Sequence, residues 1–146
     1  MDIKRSPSVG VVMRRLTRAI DRMDNPAIEK LAAEEKGDPF QVLIATLLSA
    51  QTKDAVTLEA STRLFRRART PQTLSRLSIA TLERLIYPVS FYRNKARHVK
   101  EASRQILSRF GGTVPTTMSD LLTLPGVGRK TANLTLIVAY QSASNI

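Results

Sequence analysis

Leu124-Pro125-Gly126-Val127-Gly128-Arg129-Lys130-Thr131-Ala132-Asn133 is the stretch that decides how this chain folds. Just upstream, Asp120, Leu121 and Leu122 follow Thr116 and Thr117, either of which can cap a short helix. Downstream, Leu134 to Tyr140 is apolar almost throughout, the pattern of a helix buried on all sides. Residues 117–140 therefore read as helix, tight glycine hairpin, helix. Two glycines two positions apart let the backbone turn sharply and approach another surface. The N–H groups of the hairpin and of the next helix's first turn have no intrahelical acceptor. With the helix dipole they form a small anion cradle, which a DNA phosphate fits without any base being read. A plainer reading, a Pro-Gly-x-Gly turn that only joins two packed helices, stands beside it. A dinucleotide-binding loop is disfavoured, because no strand precedes the glycines and no third glycine follows at the required place.

Outward from the hairpin the chain reads as helices. From Ser90 to Phe110, Tyr92, Ala96, Val99, Ile106 and Phe110 keep helical spacing with Ser103, and Gly111-Gly112 stops the run. The other faces carry Arg93, Lys95, Arg97, Lys100, Arg104 and Arg109 against Glu101 alone, with His98 mid-helix on that charged side. Thr70-Pro71 and Ser78 read as caps of two short helices, and Lys53 to Arg67 as a longer one with Val56, Ala60 and Leu64 in a row. Asp38 can cap and Pro39 suits a first helical position, before Phe40, Leu43, Ile44, Leu47 and Leu48 at amphipathic spacing. Val9, Val12, Met13, Leu16, Ile20 and Met23 form a further stripe that Asn25-Pro26 ends. No window alternates like a strand, so the fold class expected is all-α, a helix bundle.

Length and charge bound the function. At 146 residues the chain has the size of one domain, with 42% hydrophobic residues to build a core. The net charge of +11 points to a polyanionic partner. It is uneven: residues 1–38 hold 8 basic and 7 acidic side chains, residues 39–146 hold 15 and 5. Zero cysteines exclude a disulfide framework, a thiol nucleophile and any cysteine-ligated metal within the chain, and one histidine excludes a histidine-rich zinc site, so no metal ligands are expected. No apolar run approaches the roughly 18–20 residues of a membrane span, and no signal peptide is legible at the start. The chain reads as an intracellular protein with no membrane partner, at the nucleoid, or in a nucleus or organelle in a eukaryote.

Three motifs in order carry a family resemblance. Leu124–Asn133 resembles the helix-hairpin-helix of the endonuclease III family of DNA base-excision glycosylases. Leu47-Leu48-Ser49-Ala50-Gln51-Thr52-Lys53-Asp54 is similar to its Leu-Leu-Ser-Ala-Gln segment, and Phe91-Tyr92-Arg93-Asn94-Lys95-Ala96 to its Tyr-x-x-Lys-Ala helix start. The likeness covers residues 9–146. It implies a fold of two all-α lobes around a DNA-binding cleft, one a six-helix barrel and the other carrying a [4Fe-4S] cluster. Residues 25–146 then supply the barrel with the hairpin, and residues 1–24 a helix that packs on the other lobe. The implied activity is removal of oxidised pyrimidines from duplex DNA, followed by cleavage at the abasic site, with the target nucleotide first leaving the stack.

The resemblance also assigns residues. Lys130 matches the catalytic lysine, whose neutral amine attacks the sugar C1′. The positive helix end and Arg129 would disfavour its ammonium form. From spacing alone, Lys130 reads first as a phosphate contact, and it is the resemblance that reverses this order. In the family's adenine-removing members this position is not lysine, which places the chain with the lyase-competent branch. Gln51, otherwise an ordinary helix terminus, would insert where the nucleotide leaves. Arg93 and Lys95, which could simply be solvated, are candidate contacts to the DNA backbone, as are Gly126, Val127, Gly128 and Arg129 in the hairpin. Ser90-Phe91 departs from the Gly-Leu expected before Tyr92, at the position of a second wedge. The family's catalytic aspartate and four cluster cysteines have no counterpart here, and neither Asp54 nor Asp120 matches that aspartate. The chain is therefore expected to be truncated, without cofactor and weakly active or inactive, with its last apolar helix uncovered and self-association in place of the monomer expected of a complete chain. The alternative reading is a helix-hairpin-helix module that binds DNA without chemistry.

Overall fold

The computed structural model describes residues 38–140. The helix expected over residues 1–24 lies outside them. Among the described residues there is no strand. Seven α-helices follow in order: α1 Pro39–Ser49, α2 Asp54–Arg67, α3 Pro71–Ser75, α4 Ile79–Ile86, α5 Tyr92–Phe110, α6 Met118–Leu121 and α7 Arg129–Thr135. A π-helical segment, Leu136–Tyr140, continues α7. None of the described helices is long and apolar enough to cross a membrane.

The caps sit where local chemistry puts them. Asp38 accepts from the Gln41 N–H at 3.3 Å and Pro39 occupies the first turn of α1. Thr70 and Thr73 form a reciprocal capping box on α3. Ser78 caps α4, and of the two threonines before α6 it is Thr117 that accepts from the Asp120 N–H, at 3.2 Å. Gly111 ends α5 in the left-handed region at φ +64°, with the Gly112 N–H returning to the Ile106 carbonyl at 2.9 Å. α5 begins at Tyr92 rather than Ser90, because Phe91 is itself left-handed at φ +57°.

α1 is the central element. Phe40 through Leu48 are all buried, and α1 packs on α2, α5, α7 and the π segment. α5 lies across α3 and α4 and brings Ala96, Val99, Ala102 and Ile106 to the same core. Against expectation, the apolar end of the hairpin's second helix is covered: Leu136, Ile137, Val138 and Ala139 are all buried, with α1 against them. It is also not α-helical throughout. The Thr135 hydroxyl donates back to the Thr131 carbonyl at 2.8 Å, and the ladder widens directly after it. Tyr140 closes this end with a 2.8 Å hydrogen bond from its hydroxyl to the Val114 carbonyl.

Candidate nucleic-acid interface

The hairpin is built as its glycines suggest, each for its own reason. Gly126 stands at φ +77°, and a Cβ there would lie 2.8 Å from Cβ and Nδ1 of His98 on α5. The imidazole is therefore the floor of the turn, a role its place on the charged side of α5 did not suggest. Gly128 caps α7 in extended conformation, and a Cβ added to it would meet nothing within 4 Å. Nothing inside the fold requires its bareness, so the space in front of it is open to an outside surface. Val127 is turned inward. Its side chain is buried and its N–H closes the turn on the Leu124 carbonyl at 3.1 Å. Neither its N–H nor its side chain is presented outward, so a contact from Val127 to a ligand would have to come from its carbonyl. Arg129 and Lys130, in the first turn of α7, are exposed.

Lys130 does not stand alone. With Thr131 and Leu134 of α7 it lines a cavity of about 500 Å³. The opposite wall is Thr46 and Ser49 of α1, the turn Ala50-Gln51-Thr52-Lys53, and Asp54 at the start of α2. Two motifs 79 positions apart in sequence, Gln51 and Lys130, thus share one concavity. Its volume is in the range of sites that hold a small molecule or one nucleoside. Asp54 and Lys53 belong to it as well. Both come soon after Gln51 in the same motif, beyond Thr52, but sequence order alone does not show that they face the hairpin.

The basic residues divide. Arg93 is exposed, its guanidinium 5.1 Å from the Tyr92 ring centroid. Lys95, expected as an outward contact, is corrected. It is 6% exposed, and its ammonium donates to the Leu48 carbonyl at 2.9 Å, the Ala50 carbonyl at 2.6 Å and Thr52 Oγ1 at 3.2 Å. Burial pulls its pKa down to about 8. A cation held inside by three acceptors is not offered to a DNA strand. Lys100 likewise donates to the carbonyls of Ser75 and Leu77, at 2.8 and 2.6 Å. Arg63 donates to the Leu85 carbonyl at 2.9 Å and also to that of Tyr87. Among the described residues no group of His, Cys, Asp and Glu is arranged to hold a metal ion.

Comparisons with known proteins bear on this arrangement. Residues 44–139 match the family described as HhH-GPD superfamily base excision DNA repair protein. The chain is 44% identical over 123 residues to Endonuclease III of Thermotoga maritima, an alignment covering 78% of this chain and 58% of that protein. It is 42% identical over 107 residues to Endonuclease III-like protein 1 of Gallus gallus, covering 73% of this chain and 38% of that one. A solved structure titled "Structure of a Trapped Endonuclease III-DNA Covalent Intermediate: Estranged-Adenine Complex" superposes with a TM-score of 0.70 at 33% identity, over 92% of this chain and 61% of that chain. The chain thus spans between about two fifths and three fifths of the length of these relatives.

Proposed function

The chain belongs to the HhH-GPD superfamily of base excision DNA repair proteins, as an endonuclease III homologue, and from that premise we propose that it acts on duplex DNA, removing oxidised pyrimidines and cleaving the abasic site left behind, though only weakly with these residues, since none of them matches the family's catalytic aspartate. One observation carries this reading: Lys130 and Gln51 line the same nucleoside-sized cavity beside an open hairpin.

The hairpin grips the sugar–phosphate strand. Gly128 lets the backbone approach a phosphate, and Arg129 adds charge at the exposed start of α7. Gly126, seated on His98, makes the turn that presents this edge, and Arg93, exposed at the start of α5, is a further candidate contact to the DNA backbone. Gln51 enters the gap from which the target nucleotide leaves, and the nucleotide turns into the cavity. The Lys130 amine, in its neutral form, attacks the sugar C1′. A C–N bond forms as the glycosidic bond breaks, and the base departs with the electron pair and takes up a proton. The nitrogen, having given up a proton, then expels O4′, the C1′–O4′ bond breaking as O4′ takes up a proton, and ring opening leaves a protonated imine between Lys130 and the sugar. Loss of a C2′ proton then expels the 3′ phosphate by β-elimination, and water releases the lysine. The sequence has no cysteine, so it offers none of the thiolate ligands of a [4Fe-4S] cluster, and no step runs through one.

Borohydride reduction of the chain on a duplex with a single abasic site tests this. The imine is expected to be captured as a covalent protein–DNA species, and Lys130→Ala is expected to abolish it while keeping duplex binding. Binding with no captured species, or equal capture by Lys130→Ala, overturns the reading and leaves a module that only binds DNA.

A further inference from the structure

The turn that carries Gln51 is held from behind by α5. α1 ends at Ser49, and the carbonyls at a helix end lack intrahelical donors. Here those of Thr46, Leu48, Ser49 and Ala50 have partners. The Thr46 carbonyl accepts the Ser49 hydroxyl at 2.6 Å, and the Ser49 carbonyl accepts the Thr52 N–H at 3.0 Å. The Leu48 and Ala50 carbonyls accept the Lys95 ammonium, which also reaches Thr52 Oγ1. Thr52 Oγ1 in turn accepts the Ser90 N–H at 3.0 Å, and the Ser90 hydroxyl donates to the Gln51 carbonyl at 2.7 Å. Leu48, Ala50, Gln51 and Thr52 are each tied to the segment 90–95.

The consequence is local. Gln51 stands at φ +57°, a left-handed conformation that a glutamine keeps only when its surroundings impose it. Its side chain is exposed at the cavity that Lys130 also lines. Phe91, one residue beyond Ser90, is left-handed too, and is 62% exposed. Two outward-facing residues in unusual backbone conformations thus flank one buried ammonium. A cation at a helix C-terminus also meets the negative end of the helix dipole, which favours it there.

We propose that Lys95 is a positioning residue: by gathering the carbonyls behind Gln51 it fixes that turn in the conformation that enters DNA, before DNA arrives. The inference rests on the reading of Gln51 given above. A turn ordered in advance does not lose conformational freedom on binding, so the gain appears as preference for a gapped site over intact duplex. Affinity for phosphates, made at the hairpin, is untouched.

Titration of the chain by fluorescence anisotropy with two duplexes of one sequence, one holding a stable abasic-site analogue and one intact, reads this out. Gln51→Ala is expected to reduce the preference for the abasic duplex by about two- to tenfold, the worth of one hydrogen-bonding contact. Lys95→Met is expected to reduce it as much, with intact-duplex affinity unchanged. The double variant is expected to fall no further, because both changes remove one contribution. A residue that only supported the fold would lower both affinities alike. Ser90→Ala frees the Gln51 carbonyl without emptying a buried site. It is expected to lower the preference in the same sense, and it decides the matter if Lys95→Met does not fold. A preference kept at the wild-type level in Lys95→Met, or in Ser90→Ala where that variant decides, overturns the proposal, as does a double variant that falls below Gln51→Ala. A wild type without preference, or a Gln51→Ala variant that keeps it, overturns the DNA reading of the turn and the proposal with it.

Discussion

At the scale of single residues, Gly126 and Gly128 separate what the fold needs from what a ligand needs. An alanine at Gly126 would sit at φ +77° with its methyl inside the His98 ring contact. Left-handed strain alone costs about 1–3 kcal/mol, and His98 must also move. An alanine at Gly128 is unstrained and touches nothing. Chemical denaturation of the two variants is therefore expected to show Gly126→Ala clearly destabilised and Gly128→Ala within about 0.5 kcal/mol of wild type. DNA titration is expected to show Gly128→Ala weakened all the same, because its methyl stands where a phosphate comes. A Gly128→Ala variant that binds as the wild type does would remove the hairpin from the interface. The sequence made both glycines visible as a hairpin but could not tell them apart. The distinction depends on His98, 28 positions away on α5.

At the scale of elements, the helices were legible and the direction of their charges was not. Caps at Asp38, Thr70, Ser78 and Gly111 are short-range signals, and α1, α3 and α4 start, and α5 stops, where those signals put them. The charge of Lys95 points outward, whereas its spacing points inward. It stands four residues before Val99, seven before Ala102 and eleven before Ile106, in the buried row of α5. Lys95 and Lys100 serve as donors to the ends of neighbouring helices, and this long-range role leaves no local trace in sequence. The buried ammonium has a titration consequence. Its pKa of about 8 lies below the ordinary 10.5. Between those values the unfolded chain still carries the proton while the folded chain has released it, so the unfolded state binds more protons. The stability contributed by this group therefore rises with pH from about 8 towards 10.5. Unfolding midpoints followed across that range are expected to improve for wild type relative to Lys95→Met. A constant or shrinking difference would contradict the burial of the charge.

At the scale of the molecule, the cavity joins what the sequence holds apart. Both of its walls are legible as motifs, but only the packing of α1 against α7 shows that Lys130 and Gln51 face one space, and that Lys53 and Asp54 belong to it. The net charge of +11 overstates the surface offered to a polyanion, since Arg63, Lys95 and Lys100 are occupied within the fold. If about four phosphates are engaged, the logarithm of the affinity is expected to fall with the logarithm of salt at a slope of about −3 to −4. A slope near zero, measured by anisotropy over a salt series, would contradict a phosphate-gripping surface. The account stands or falls on which amine reaches the sugar, since Lys53 and Lys130 line the same cavity. Mass-spectrometric mapping of the borohydride-captured species on abasic-site DNA decides it: the modification is predicted on the peptide containing Lys130, and its appearance on the Lys53 peptide instead, or on no single lysine, would contradict the mechanism.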